Sequence, residues 1–346
     1  MGMIEPLDDI QLLSSFDRSA MLDSIISMPK QIEDMIKSKL LLEREVDSVC
    51  FCGMGGSAIG GDVLADYASR SAEIPFTVAR GVELPRFVGK RTLAIMVSYS
   101  GNTWETLELF EEAVRRGAQV VSVTSGGELA RRSHRKKLPL LPVPGGQQPR
   151  AAIGYLMGAS AVALSAASVA PAVRDLKACI SALRIYQEGI LPAIPVKKNL
   201  AKQIANRLHR SVPVVYAPRN IRSIALRWQT QINENAKMMA FSGEYPEMNH
   251  NHVVGWAEDT SEIALLPVFL IDPKDKGLSK KIGITAQLIK ERRTEPMSVK
   301  LTGKTILETS LTGIILGDFV SYYLSVLKGI DPSPVASISE LKKRMK

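Results

Sequence analysis

The sequence predicts an α/β protein of two doubly wound domains, each a mainly parallel sheet flanked by helices. Three observations predict it. The chain has 346 residues, more than one hydrophobic core ordinarily serves, so two units of about 150 residues each are expected. Short β-rich runs alternate with amphipathic stretches, and strand, helix, strand in succession implies parallel pairing through crossover helices. Hydrophobic residues make up 45% and charged residues 23%, the balance of a globular chain rather than a disordered one.

After an N-terminal helical segment, residues 46–52, 76–79, 93–98, 120–124 and 138–143 read as buried strands. Between the third and fourth, residues 103–117 carry Leu107, Phe110 and Val114 at spacings of three and four opposite a charged face, which predicts a helix. The Ala- and Ser-rich stretch 151–170 reads as a buried helix, and Ala170-Pro171 as the exit from the first domain. The expected domains are therefore 1–170, with its helical N-terminal segment, and 171–346, with a helical tail. The second set of elements runs as a strand at 212–216, a helix at 221–240, a strand at 263–271, a helix at 278–292, a strand at 297–301 and a long helix within 306–328. Ser337 and Glu340 stand at capping-box spacing, so a last helix is expected to start there. The halves look alike in architecture without a residue-level repeat.

Composition narrows the function. No apolar run reaches the roughly 18 to 20 residues of a membrane span, and the acidic N-terminus lacks a secretory pattern, so the expectation is a cytoplasmic protein without a membrane partner. Three cysteines are too few for a disulfide framework; alternation puts Cys50 and Cys52 on one strand face, and no cluster at ligand spacing calls for a metal. The net charge is +9, but basic residues are spread along the chain and aromatics are 5%, which suits a small anionic substrate better than nucleic acid. Arg131, Arg132, Arg135, Lys136 and Lys137 read as a solvated helix end.

Two strand-to-helix turns carry the chemistry. Ser98-Tyr99-Ser100-Gly101-Asn102-Thr103 offers hydroxyls and free amides at a helix N-terminus, the outline of a phosphate site, although the same residue types serve as caps, with Asn102 and Glu105 suited to that role. The second turn, Gly53-Met54-Gly55-Gly56-Ser57-Ala58-Ile59-Gly60-Gly61, lacks the Walker lysine, and no acidic residue ends the next strand as dinucleotide binding requires. Farther on, Ala225, Trp228, Ile232 and Met239 form one helical stripe and Glu234 points away from it, either as a solvated carboxylate paired with Lys237 or as a base. A loop-like stretch at 243–252 then holds His250 and His252. Histidine titrates near neutrality and suits proton transfer.

These turns resemble the sugar isomerase (SIS) domain, which implies that Ser98, Ser100 and Thr103 hold a sugar phosphate and that Gly55, Gly56 and Ser57 lie against the sugar. Asn233-Glu234-Asn235-Ala236-Lys237 with Glu247-Met248-Asn249-His250, Pro149-Arg150 and a C-terminal lysine resembles, in order, the bifunctional phosphoglucose/phosphomannose isomerases. That resemblance implies isomerisation of aldose and ketose 6-phosphates through a cis-enediol(ate), with no metal or cofactor. In it Glu234 transfers the proton, Arg150 stabilises the intermediate, and His250 and a lysine assist ring opening. Lys342 is favoured over Lys343 by the family's ending. The resemblance also implies a homodimer in which His250 reaches the partner's site. The alternative is a non-catalytic SIS regulator, which would keep both turns and need neither Glu234 nor His250. An amino-sugar synthase would need a cysteine near residue 2, where Gly2 and Met3 stand.

Overall fold

Three short helices open the chain, Ile10–Phe16 (α1), Met21–Ile26 (α2) and Met28–Met35 (α3), in the computed structural model, which describes residues 5–42, 45–258, 263–292 and 294–344. The first sheet follows: Ser48–Gly53 (β1), Ile59–Ala68 (α4), Phe76–Ala79 (β2), Thr92–Val97 (β3), Trp104–Arg115 (α5), Gln119–Thr124 (β4), Gly127–Arg135 (α6) and Leu140–Pro142 (β5). Ile153–Ala166 (α7) and Ala172–Glu188 (α8) come next. Every pairing is parallel and the strand order is β2-β1-β3-β4-β5. β1, β3 and β4 are buried along their whole length, which is what a parallel sheet covered on both faces asks of its strands. Cys50 and Cys52 share one face, as alternation requires, with Sγ atoms 3.6 Å apart among Ala94, Met96, Leu109 and Phe110.

The second sheet repeats this winding one strand short. Leu200–Leu208 (α9) leads into Val212–Pro218 (β6), Ser223–Asn235 (α10), Phe241–Tyr245 (β7), His252–Glu258 (α11), Leu265–Ile271 (β8), Lys276–Arg292 (α12) and Met297–Lys300 (β9). Ile306–Leu327 (α13) and Ala336–Arg344 (α14) complete the chain. The order is β7-β6-β8-β9, again all parallel.

Three expectations change. The helix expected over 221–240 stops at Asn235 because Lys237 takes a left-handed φ of +49°. Met239 therefore leaves the apolar stripe and is 61% exposed, whereas Ala225, Trp228 and Ile232 are buried. The stretch expected as loop begins instead with β7, whose hydrogen bonds come from pairing with β6, Val214 opposite Phe241 through Pro218 opposite Tyr245. Finally, α13 is by length and composition able to cross a membrane, yet 94% of its apolar stretch is buried inside the fold.

Packing divides the chain into two compact units that do not follow the 1–170 and 171–346 division. One comprises residues 26–184 with Gly303–Ser310; the other takes the described residues of 1–25, 185–302 and 311–346. Specific bonds account for this. Within the first unit Tyr67 Oη donates to Asp175 at 2.6 Å and Arg184 to Glu33 at 2.6 Å, fastening α8. Within the second, Asp8 accepts from the fully buried Lys202 ammonium at 3.0 Å and from Val196 N at 2.9 Å.

In the second unit α10 lies on α13 through a buried polar seam. Arg227 donates two bonds to Asp318, Nε to Oδ1 at 2.9 Å and Nη2 to Oδ2 at 2.8 Å, and Asn235 donates to Ser321 at 2.9 Å. Burial pushes the Asp318 carboxyl above the usual range, against the pull of Arg227. Removing one member of such a pair leaves the other charge desolvated, so Asp318→Ala should cost about 3–5 kcal/mol in urea unfolding, and Arg227→Met with Asp318→Leu should recover most of it.

Candidate active site

In the first sheet the chain moves from β1 outward to β2 and then returns to the other side of β1 as β3, so the winding reverses between β1 and β3. Ligand crevices in such sheets open at the carboxyl ends of the strands flanking that reversal. Here those ends carry the two turns singled out above. Gly55–Ser57 forms a single turn of 3-10 helix before α4, and the Ser57 hydroxyl accepts from Tyr99 N at 3.2 Å, tying the two turns together.

A third loop, after β4, supports them. Ser125 Oγ donates to Tyr99 O at 2.6 Å and Leu129 N to Gly101 O at 2.9 Å. Gly101 has φ +66°, and a Cβ there would overlap the Gly126 carbonyl oxygen. The sequence signal for this loop is a Gly-Gly pair one residue after a buried strand, which by itself does not point to a site.

The helix after β3 is left uncapped. Thr103 is the N-cap residue of α5 but makes no side-chain cap bond, and its hydroxyl accepts from Ser98 Oγ at 3.1 Å. Asn102, suited to capping by sequence, accepts from Glu128 N at 3.0 Å instead. The first-turn amides of a 12-residue helix are thus aimed outward at the positive end of its dipole, the arrangement that receives phosphate. Ser98 is fully buried and holds Thr103, whereas Ser100 is exposed at the crevice.

Arg150 stands in the 3-10 turn Pro149–Ala151 and is 2% exposed. A Cβ at Gly56 would lie 2.9 Å from both N and Cα of Arg150, so only glycine lets the two backbones meet. The buried Gln31 of α3 holds this turn from behind: its amide nitrogen donates to Ala151 O at 3.0 Å and its oxygen accepts from Gly154 N at 3.0 Å. Gln31 escaped sequence reasoning because it acts 120 residues along the chain. The first unit by itself therefore gathers Gly55, Gly56, Ser57, Ser98, Ser100, Thr103 and Arg150.

Glu234, His250 and Lys342 belong to the second unit. Glu234 is partly buried in the last turn of α10. His250 is exposed at the end of the 3-10 turn Glu247–His250. His252 is fixed nearby: Trp256 Nε1 donates to Tyr216 Oη at 2.9 Å, and the same Oη shares a hydrogen bond with His252 Nδ1 at 2.8 Å. Burial pushes the Tyr216 phenol up to about 12. The backbone of Lys342 lies in α14, but its side chain is outside the described residues; Lys343 beside it is exposed. Among the described residues no three His, Cys, Asp or Glu side chains gather as a metal-ligand set.

The corresponding reversal in the second sheet has different electrostatics. After β8, Asp275 Oδ1 accepts from Leu278 N at 2.9 Å and caps α12 with a carboxylate, and Asp272 accepts from Lys274 N at 3.1 Å. Arg219 and Arg222, after β6, are both engaged by Glu244. Of the helices that follow the returning strands, α5 after β3 has no side-chain cap and α12 after β8 has one.

Two parallel sheets wound this way, with serine- and glycine-rich turns at the reversal, define a double SIS-domain protein. Residues 41–144 match the SIS domain family, and residues 197–345 match the bacterial phospho-glucose isomerase C-terminal SIS domain. The chain is 32% identical to a bifunctional phosphoglucose/phosphomannose isomerase of Caldicellulosiruptor bescii, over 94% of this chain and 98% of that one. It is 35% identical to one of Aquifex aeolicus, over 86% and 90%. A D-glucosamine-6-phosphate 4-epimerase of Sulfolobus acidocaldarius is 30% identical over 70% and 74%. Among solved structures, a glucose-6-phosphate isomerase like protein of Thermus thermophilus shares the fold, with TM-score 0.64 and 18% identity over 98% and 99%. The chain belongs to the family of bifunctional phosphoglucose/phosphomannose isomerases.

The Gly56 contact yields a direct test. Gly56→Ala should lose about 1–3 kcal/mol in thermal or urea unfolding, because its methyl group meets backbone that cannot rotate away; unchanged stability would contradict the close approach to Arg150.

Proposed function

We propose that the protein is an aldose–ketose isomerase that interconverts glucose 6-phosphate, mannose 6-phosphate and fructose 6-phosphate through a cis-enediol(ate). The observation that carries the reading is the uncapped N-terminus of α5 at the β1/β3 reversal, beside a buried arginine held against Gly56. Uncapped amides and a helix dipole suit a phosphate dianion, and a buried guanidinium suits the oxyanion that forms when a proton leaves the carbon beside a carbonyl. The relatives named above as phosphoglucose/phosphomannose isomerases support the same substrates.

In this reading Ser100, Thr103 and the first turn of α5 hold the phosphate, with Ser98 holding Thr103, and Gly55, Gly56 and Ser57 lie along the sugar. Glu234 moves the proton between C2 and C1, Arg150 balances the enediolate charge, and His250 and Lys342 assist ring opening. A positioned carboxylate that takes and returns one proton accounts for the reaction with no metal or cofactor. The working unit is a cytoplasmic homodimer in which His250 completes the partner's site. Glu234 and His250 distinguish this reading from sugar-phosphate sensing, which would need neither.

Purified protein given fructose 6-phosphate in EDTA should form both glucose 6-phosphate and mannose 6-phosphate; formation of neither overturns the assignment, and a C4 epimer in their place would align the chain with the epimerase. Glu234→Gln should lower kcat by about 10²–10⁴-fold while substrate still binds, and near-normal turnover would remove Glu234 as the base. For the shared site, inactive Glu234→Gln and His250→Ala subunits should regain activity on mixing and refolding, since hybrids hold one intact site; no recovery would confine the site to one subunit.

A further inference from the structure

The end of α10 is fastened by Lys237, which the sequence offered only as an ion-pair partner of Glu234. Lys237 sits two residues past Asn235 with φ +49°, a conformation that costs a side-chain-bearing residue roughly 1–2 kcal/mol and that glycine normally takes at a helix end. Its side chain offsets that cost. The ammonium donates to Asn235 O at 3.3 Å, Asp331 O at 3.0 Å and Pro332 O at 2.8 Å. Its own carbonyl accepts from Lys328 Nζ at 3.1 Å, and one turn back Asn233 Oδ1 accepts from Ala240 N at 2.9 Å. Two cations thus meet main-chain oxygens where the dipole of α10 is negative. Asp331 and Pro332 begin the connection into α14, on whose backbone Lys342 stands, and Ser333 N donates to Asp331 Oδ1 at 2.8 Å, folding that connection.

We propose that Lys237 is a positioning residue: its ammonium, held by the Asn235, Asp331 and Pro332 carbonyls, fixes the end of α10 that carries Glu234 against the connection leading to α14. This rests on the reading of Glu234 as the transfer base. A compact ammonium with rotatable donors suits carbonyls arrayed around one point, and glycine would suit the backbone better but supply no donor. The side chain therefore supplies what glycine could not, and its loss loosens the base and the tail without touching the phosphate turn.

Lys237→Gly separates this from a structural role, because it relieves the left-handed strain while deleting the ammonium. With fructose 6-phosphate as substrate, kcat should fall about 10²-fold with KM within about twofold. The melting temperature should not fall, and Lys237→Arg should recover part of the lost kcat. Wild-type kcat in Lys237→Gly overturns the proposal, as does a parallel loss of kcat, KM and melting temperature. Glu234→Gln is measured alongside. If it is inactive and Lys237→Gly is normal, only the positioning role fails; if it turns over normally, the base assignment fails and the positioning of that base fails with it.

Discussion

The crevice of the first sheet depends on main chain meeting main chain. Gly56 lies on the backbone of Arg150, and Gly101 on the carbonyl of Gly126, at separations that no side chain permits. The bonds linking these turns, Tyr99 N to Ser57, Ser125 to Tyr99 O and Leu129 N to Gly101 O, span 2.6 to 3.2 Å. Hydrogen bonds weaken steeply beyond about 3.5 Å, so a shift of one methyl radius would break several together. These contacts pin the turns to one another, and donors held in place cost little to reorganise.

Behind that crevice, buried polar side chains do the supporting. Gln31 satisfies a donor and an acceptor on the turn that carries Arg150. In the other unit Arg227 and Asn235 bond Asp318 and Ser321 of α13 along one face of α10. Each such bond contributes only about 1 kcal/mol net, but leaving its partner unsatisfied costs more. That asymmetry specifies register: α10 cannot slide along α13 without orphaning a charge, which fixes the direction in which Glu234 faces.

Local chemistry made much of this readable in sequence. β2 was legible to the residue at 76–79, and the Ser98 to Thr103 turn was legible because hydroxyls and glycine must punctuate a buried strand that meets a helix. What stayed hidden was set by distance or by side-chain demands. Nothing in the propensities near Lys237 signals a left-handed lysine, so α10 was expected to run five residues too far, and β7, an edge strand formed by pairing with β6, read as loop. The sequence suggests a helical N-terminal segment but not which core it joins. The Asp8 bonds to Lys202 and Val196 decide that.

The carboxylate cap on α12 gives the duplicated scaffold a polarity. Asp275 fills the helix terminus that its counterpart after β3 leaves empty, and Asp272 adds a second acidic side chain to the same loop. An anion would meet amides with no side-chain cap at the helix after β3 and a carboxylate cap at the helix after β8. A single capping aspartate thus makes two sheets that are alike in winding unlike in the charge they offer at the end of the returning strand.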